Sequence, residues 1–150
     1  MSLRLRALIG AKGLLAPLAG GIPGGRVADL TEALGIIVLG PGVAADPPSA
    51  TLPGLMLSKE LARRAQAASD AGTLAFVEAD YHPGRDFQSS VVWAGGSVAL
   101  GPLNDKKPWD PREPAMKERP INTALRALGV KAEGYGDEWD AVALSRHAAA

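Results

Sequence analysis

The sequence predicts an α+β fold in which a mixed, largely antiparallel sheet has its helices packed mainly on one face. Six runs of strand character outnumber four helical patterns, and the last three strand runs follow one another without an intervening helix. The final two of these are separated only by Gly95-Gly96, which is typical of a two-residue hairpin turn. A chain of 150 residues can bury one core, so we expect a single domain over residues 1–150.

The chain begins with a predicted strand. Leu3, Leu5 and Ala7 alternate with Arg4 and Arg6, which is the period of a half-buried strand. The two arginines are therefore expected to face outward, away from the core.

The remaining elements follow from the same periodicities and from the turn residues that bound them. In chain order we expect a helix at 11–20, strands at 26–30 and 34–40, an amphipathic helix at 59–69, strands at 73–81, 87–95 and 97–102, and helices at 121–130 and 137–147. Ser58 and Asp137 are predicted N-caps, and Gly129 is predicted to end its helix. The proline-rich stretches 40–57 and 101–120 are predicted to be surface connections.

Composition excludes several classes of function. The 16 basic and 16 acidic residues balance, which disfavours nucleic-acid binding, and no cysteine is present for a disulfide, thiolate nucleophile or cysteine-ligated zinc site. No apolar stretch approaches the roughly 20 residues of a membrane span, so we expect no membrane contact. The absence of cysteine is compatible with the cytoplasm, where we expect the protein to be located. The glycine spacings do not match nucleotide-binding motifs, and no cofactor is predicted.

The segment VEADYHPGRDFQSSVVW, residues 77–93, places several polar side chains between two apolar runs. On a strand at 74–81, Glu78 and Asp80 share one face about 6 to 7 Å apart. With His82 they form a candidate site for metal-assisted hydrolysis, in which paired carboxylates and an imidazole hold a divalent ion. The favoured alternative is a strand, a polar turn and a strand, with the acids closing the turn by hydrogen bonds.

A third interpretation of this segment is a surface that meets a protein partner. Glu78, Asp80, His82, Arg85 and Gln88 would supply polar contacts, with Trp109 of the charged stretch KKPWDPRE as an apolar anchor. Because no complete catalytic constellation is visible, we expect a non-enzymatic binding module, with the hydrolase as the alternative. Self-association through an exposed strand is a further possibility, with 86–94 as the expected edge and a homo-oligomer as the result.

The segments EADYHPGRDFQSSVVWAGGSVALGPL, PINTALRALGV and GDEWDAVALSRH resemble a family of small bacterial proteins with no established activity, over residues 78–147. Asp80-Tyr81 and Gln88 fit the family pattern, whereas His82-Pro83 replaces smaller residues. In its size and fold class, the chain also resembles immunity proteins, which block a toxin by binding it. This second resemblance implies a protein partner and names no residue.

Overall fold

The predicted α+β class is confirmed. The computed structural model describes residues 3–40, 55–82, 85–107 and 119–149, with the backbone alone described at 82, 85, 86, 106 and 107. The strands are β1 (Leu3–Ala11), β2 (Ala28–Asp29), β3 (Leu34–Val38), β4 (Leu74–His82), β5 (Arg85–Ala94) and β6 (Ser97–Lys107). The helices are α1 (Lys12–Ala19), α2 (Lys59–Ala68), α3 (Pro120–Ala127) and α4 (Glu138–Ala141), and a 3₁₀ turn follows at Leu144–His147.

The six strands form one sheet in the order β2-β3-β1-β4-β5-β6. All five strand pairings in the described part of the chain are antiparallel, so the mixed sheet that was predicted is wrong in that respect. The expectation that 86–94 forms an exposed edge is wrong, because β5 lies between β4 and β6. The tight turn at Gly95-Gly96, with φ of +62° and +83°, folds β6 directly against the outer side of β5. The long edge of the sheet is therefore β6.

The helices cover both faces of the sheet, which differs from the expected single covered face. Leu8 of β1 packs in a cluster with residues of α1 and α2, whereas its neighbours Ala7 and Ile9 pack in a second cluster with residues of α3 and with Leu144. Since all three β1 side chains are fully buried, each face needs a helical layer. We call these faces the α1/α2 face and the α3/α4 face.

Strand β6 is five residues longer than its predicted end at 102, since it continues to Lys107. Backbone pairing with β5 sets this length: Ser89 lies opposite Asn104, and Gln88 opposite Asp105. These ladder hydrogen bonds outweigh the polar composition that favoured a loop. The remainder of the predicted loop, residues 108–118, lies outside the described residues.

The predicted helix ends are present. The Oγ of Ser58 accepts a hydrogen bond from the N–H of Leu61 at 3.2 Å, and the Oδ1 of Asp137 accepts one from that of Asp140 at 2.8 Å. At the end of α3, Gly129 has a φ of +92°, and the next residue's N–H donates to the carbonyl of Leu125 at 3.0 Å.

The final helix is shorter than predicted, because Ala143 adopts a left-handed φ of 50° and separates α4 from the 3₁₀ turn. No helix within the described ranges is long and apolar enough to cross a membrane.

Candidate functional site

Most of the predicted site residues gather at one end of the sheet. This end is formed by the start of β1, the end of β4, the start of β5 and the end of β6, and we call it the polar end. On the α1/α2 face, one row of polar side chains crosses four strands in register, comprising Arg6, Glu78, Ser89 and Asn104. Farther from the polar end, the side chains on this face are apolar and include Leu8, Phe76 and Val91.

Glu78 is buried within this row, with 1% of its surface exposed. Its Oε2 accepts a hydrogen bond from Arg6 Nε at 2.9 Å, and its Oε1 accepts one from the backbone N–H of Met56 at 3.3 Å. Arg6 is itself only 15% exposed at its side chain, so the outward orientation expected for it is wrong. The carboxylate therefore joins β4 to β1 and to the segment that leads into α2.

Asp80 lies two residues farther along β4 and is partly exposed. Its register partners are Arg4 on β1 and Phe87 on β5, and Arg4 is exposed. The predicted alternation of this strand is confirmed, since Phe76 joins the α1/α2 cluster and Val77 joins the other cluster. Among the described side chains, no group of three or more His, Asp or Glu residues is placed to hold a metal ion.

Gln88 lies on the opposite face from Glu78. Its Nε2 donates to the hydroxyl of Tyr81, and its Oε1 accepts from the backbone N–H of Ile121 at 3.0 Å, at the start of α3. Only 4% of its surface is exposed, so Gln88 connects α3 to the sheet from inside the protein. This burial removes both Gln88 and Glu78 from the predicted binding surface.

An aromatic and guanidinium stack on the α3/α4 face was not anticipated from the sequence. The rings of Tyr81 and Trp139 are stacked with centroids 5.9 Å apart and planes 19° apart, and the guanidinium of Arg119 lies 5.7 Å from the Tyr81 centroid. Arg119 Nε is 2.8 Å from Asp105 Oδ2 in an ion pair. We call Asp105, Arg119, Tyr81 and Trp139 the stacked cluster.

Trp139 is held in place by hydrogen bonds at two points. Its backbone N–H donates to Asn122 Oδ1 at 2.9 Å, and its Nε1 donates to Ser145 Oγ at 2.8 Å. Both Trp139 and Tyr81 are partly exposed, whereas Arg119 is 4% exposed. The cluster thus presents two positioned aromatic rings beside the end of β4.

The serines of β5 are engaged internally. Ser89 Oγ donates to Asn104 Oδ1 at 3.1 Å, and Ser90 Oγ donates to the carbonyl of Pro120 at 2.7 Å. Both are buried, so neither hydroxyl is placed as an accessible nucleophile.

The other predicted residues fall partly outside the description. The backbones of His82 and Arg85 pair across the end of the β4–β5 hairpin, but their side chains, like the whole of Trp109, lie outside the described residues. Trp93 is fully buried in the core, as expected. Burial, together with the neighbouring Arg146 charge, lowers the pKa of His147, whose Nε2 accepts a hydrogen bond from Arg146 Nε at 3.1 Å.

No family model, curated protein or solved structure matches this chain. The resemblance to a family of small bacterial proteins therefore stays a prediction.

Proposed function

We propose that the protein is a non-enzymatic binding module that acts through a protein partner at the polar end of the sheet. The observation that carries the proposal is the stacked cluster, in which Tyr81 and Trp139 are partly exposed and held in fixed positions. Tyrosine, tryptophan and arginine are the side chains most enriched at the energetic centres of protein interfaces.

Charges on the other face of the polar end, the α1/α2 face, favour a polar partner surface, so the proposed partner meets this end of the sheet edge-on and contacts both faces. Arg4 and Asp80 are register partners at the outer rim, one exposed and one partly exposed. Rim charges of opposite sign set the orientation of a partner and the rate of association more than they set affinity. We infer that the aromatic rings supply the apolar contact and that Arg4 and Asp80 help to select the partner.

The metal-assisted hydrolase that used Glu78, Asp80 and His82 has less support. Both carboxylate oxygens of Glu78 already accept hydrogen bonds, from Arg6 and from Met56. Recruiting Glu78 to a metal would weaken an ion pair that is almost fully buried, at a cost of several kcal/mol. We therefore propose that Glu78 is a structural acid. We also propose that the protein is located in the cytoplasm.

A homo-oligomer formed through the β6 edge is also less favoured. Proline and charged residues on an edge strand oppose pairing with another strand, and β6 contains both Pro102 and Asp105. A mass that stays monomeric across a range of concentrations in sedimentation equilibrium is the expected result. A mass that rises with concentration would restore self-association.

The test of the proposed function compares three tagged forms of the protein as baits in a lysate of the organism that encodes it. The first is unchanged. The second carries Arg4→Asp with Asp80→Arg, which keeps opposite charges on paired strands but inverts the rim. The third is the matched control, Glu60→Arg with Arg63→Glu, an exposed ion pair on α2. Retained proteins are quantified by mass spectrometry.

We expect at least one protein to be retained by the unchanged and control baits and lost from the rim-inverted bait. With that partner purified, titration calorimetry should show the rim inversion weakening binding by about tenfold or more, since like charges then meet across the interface. Equal retention by all three baits, or no specific retention by any, would contradict the proposal.

A further inference from the structure

A cleft of about 380 Å³ lies near the far end of β1 from the polar end. It is an open surface cleft bordered by the turn between β2 and β3, the end of α3, the chain that follows it, and α4. Its lining is mainly apolar and includes Leu34, Leu128, Val130 and Val142, together with Lys131 and Tyr135. The volume falls within the usual range for small-molecule sites, roughly 300 to 1,000 Å³.

The walls of the cleft are set by specific local structure. The left-handed backbone at Gly129 ends α3 and turns the chain, so that Val130 and Lys131 border the cleft. On the opposite wall, Thr31 Oγ1 accepts a hydrogen bond from the N–H of Leu34 at 3.0 Å and closes the β2–β3 turn. The cleft is therefore formed by backbone that is already hydrogen-bonded before any ligand arrives.

Tyr135 gives the cleft an exposed aromatic wall. It is 60% exposed, the highest value among the large apolar and aromatic side chains that the structure describes as exposed. Its backbone N–H donates to the carbonyl of Ala132 at 2.8 Å, and glycines flank it on both sides. The exposed ring is therefore available to contact a ligand in the cleft, and aromatic side chains are common in the lining of small-molecule sites.

The charge of the cleft decides the class of ligand. Lys131 is the single charged residue among those that line it, and its ammonium forms no ion pair with any described residue. An apolar ligand with an anionic group would gain both burial of its body and attraction to this ammonium. We propose that the cleft binds a small carboxylate with an apolar body, such as an aryl-alkanoate. This site shares no lining residue with the stacked cluster and does not depend on the proposed function.

The test is a titration of the ¹⁵N-labelled protein by two-dimensional NMR. The probes are 3-phenylpropionate and its uncharged analogue 3-phenylpropan-1-ol. We expect saturable shifts of the Leu34, Leu128 and Lys131 amide signals with the carboxylate, with an apparent Kd on the order of 1 mM for a ligand of this size. The alcohol should bind about two- to fivefold more weakly, since an exposed charge pair contributes a factor of about that size.

Three variants complete the experiment. Lys131→Met should weaken binding of the carboxylate about two- to fivefold and leave binding of the alcohol unchanged. The matched control Lys59→Met, at an exposed lysine on α2, should change neither. Ala33→Trp, at an exposed position that lines the cleft, should abolish saturable shifts by filling it. The unperturbed part of each spectrum reports whether the variant is folded.

Absence of saturable shifts at these amides in the unchanged protein would overturn the proposal. Equal affinity for the acid and the alcohol, or equal effects of Lys131→Met and Lys59→Met, would overturn the assignment of a carboxylate ligand.

Discussion

Replacing Glu78 with glutamine should destabilise the protein strongly, although the two side chains have nearly the same shape. Glu78 accepts from two donors, Arg6 Nε and the N–H of Met56. An amide can present its oxygen to only one of them and must turn its own N–H₂ toward the other. The variant therefore loses one buried hydrogen bond and leaves the Arg6 charge without its counter-ion.

The expected size of the effect follows from the burial of the pair. Removing one partner of a fully buried ion pair costs about 3 to 5 kcal/mol. Because Arg6 keeps 15% of its side-chain surface exposed, water offsets part of this cost, and we expect Glu78→Gln to lower the free energy of unfolding by about 2 to 3 kcal/mol. Combining Glu78→Gln with Arg6→Met should recover about half of the loss, since no uncompensated charge then remains.

Urea unfolding followed by circular dichroism measures these free energies. The unchanged protein, Glu78→Gln, Arg6→Met and the double variant form a double-mutant cycle. The matched control is Glu60→Gln, which makes the same chemical change in the exposed ion pair with Arg63 and should leave the unfolding midpoint unchanged within error. A loss below about 0.5 kcal/mol for Glu78→Gln, or additive effects in the cycle, would refute the assignment of Glu78 as a structural acid. Either result would make a chemical role for Glu78 worth testing.

Two further predictions concern the α3/α4 face and the pH dependence of stability. Gln88→Leu should lower the free energy of unfolding by about 1 to 3 kcal/mol, because the N–H of Ile121 loses its acceptor inside the protein; a urea curve that coincides with that of the unchanged protein would contradict this. The pKa of His147 is lowered in the folded state by burial and by the Arg146 charge, so the folded protein binds this proton less well than the unfolded chain. The stabilisation by neutral His147 is therefore present above its ordinary pKa of about 6.5 and is lost as the pH falls through the lowered value. Urea unfolding measured across this pH range should give a free energy of unfolding that changes less with pH for His147→Gln than for the unchanged protein.

Much of the fold could be predicted because its signals are local. The alternation in β1 and β4, the Gly95-Gly96 turn and the caps at Ser58 and Asp137 each depend on a few neighbouring residues. Such patterns determine which elements occur and in what order, but they do not state which element lies next to which.

The candidate site was less predictable because its contacts join distant parts of the chain. Sequence alternation placed Glu78 and Asp80 on one face, and the structure agrees. It could not show that Glu78 pairs with Arg6, 72 residues away, or that Gln88 bonds to Ile121 across the other face. A polar residue in a strand has the same local signature whether it faces a partner or satisfies a buried donor.

By itself, the sequence determined the element order, the α+β class and the alternation of side chains along each strand, because these depend on local periodicity and turn chemistry. Only the tertiary structure decided that β6 rather than β5 forms the long edge, that helices cover both faces, and that Tyr81 stacks on Trp139. Those outcomes depend on strand order and long-range packing, since a side chain's role is set by what the fold places opposite it.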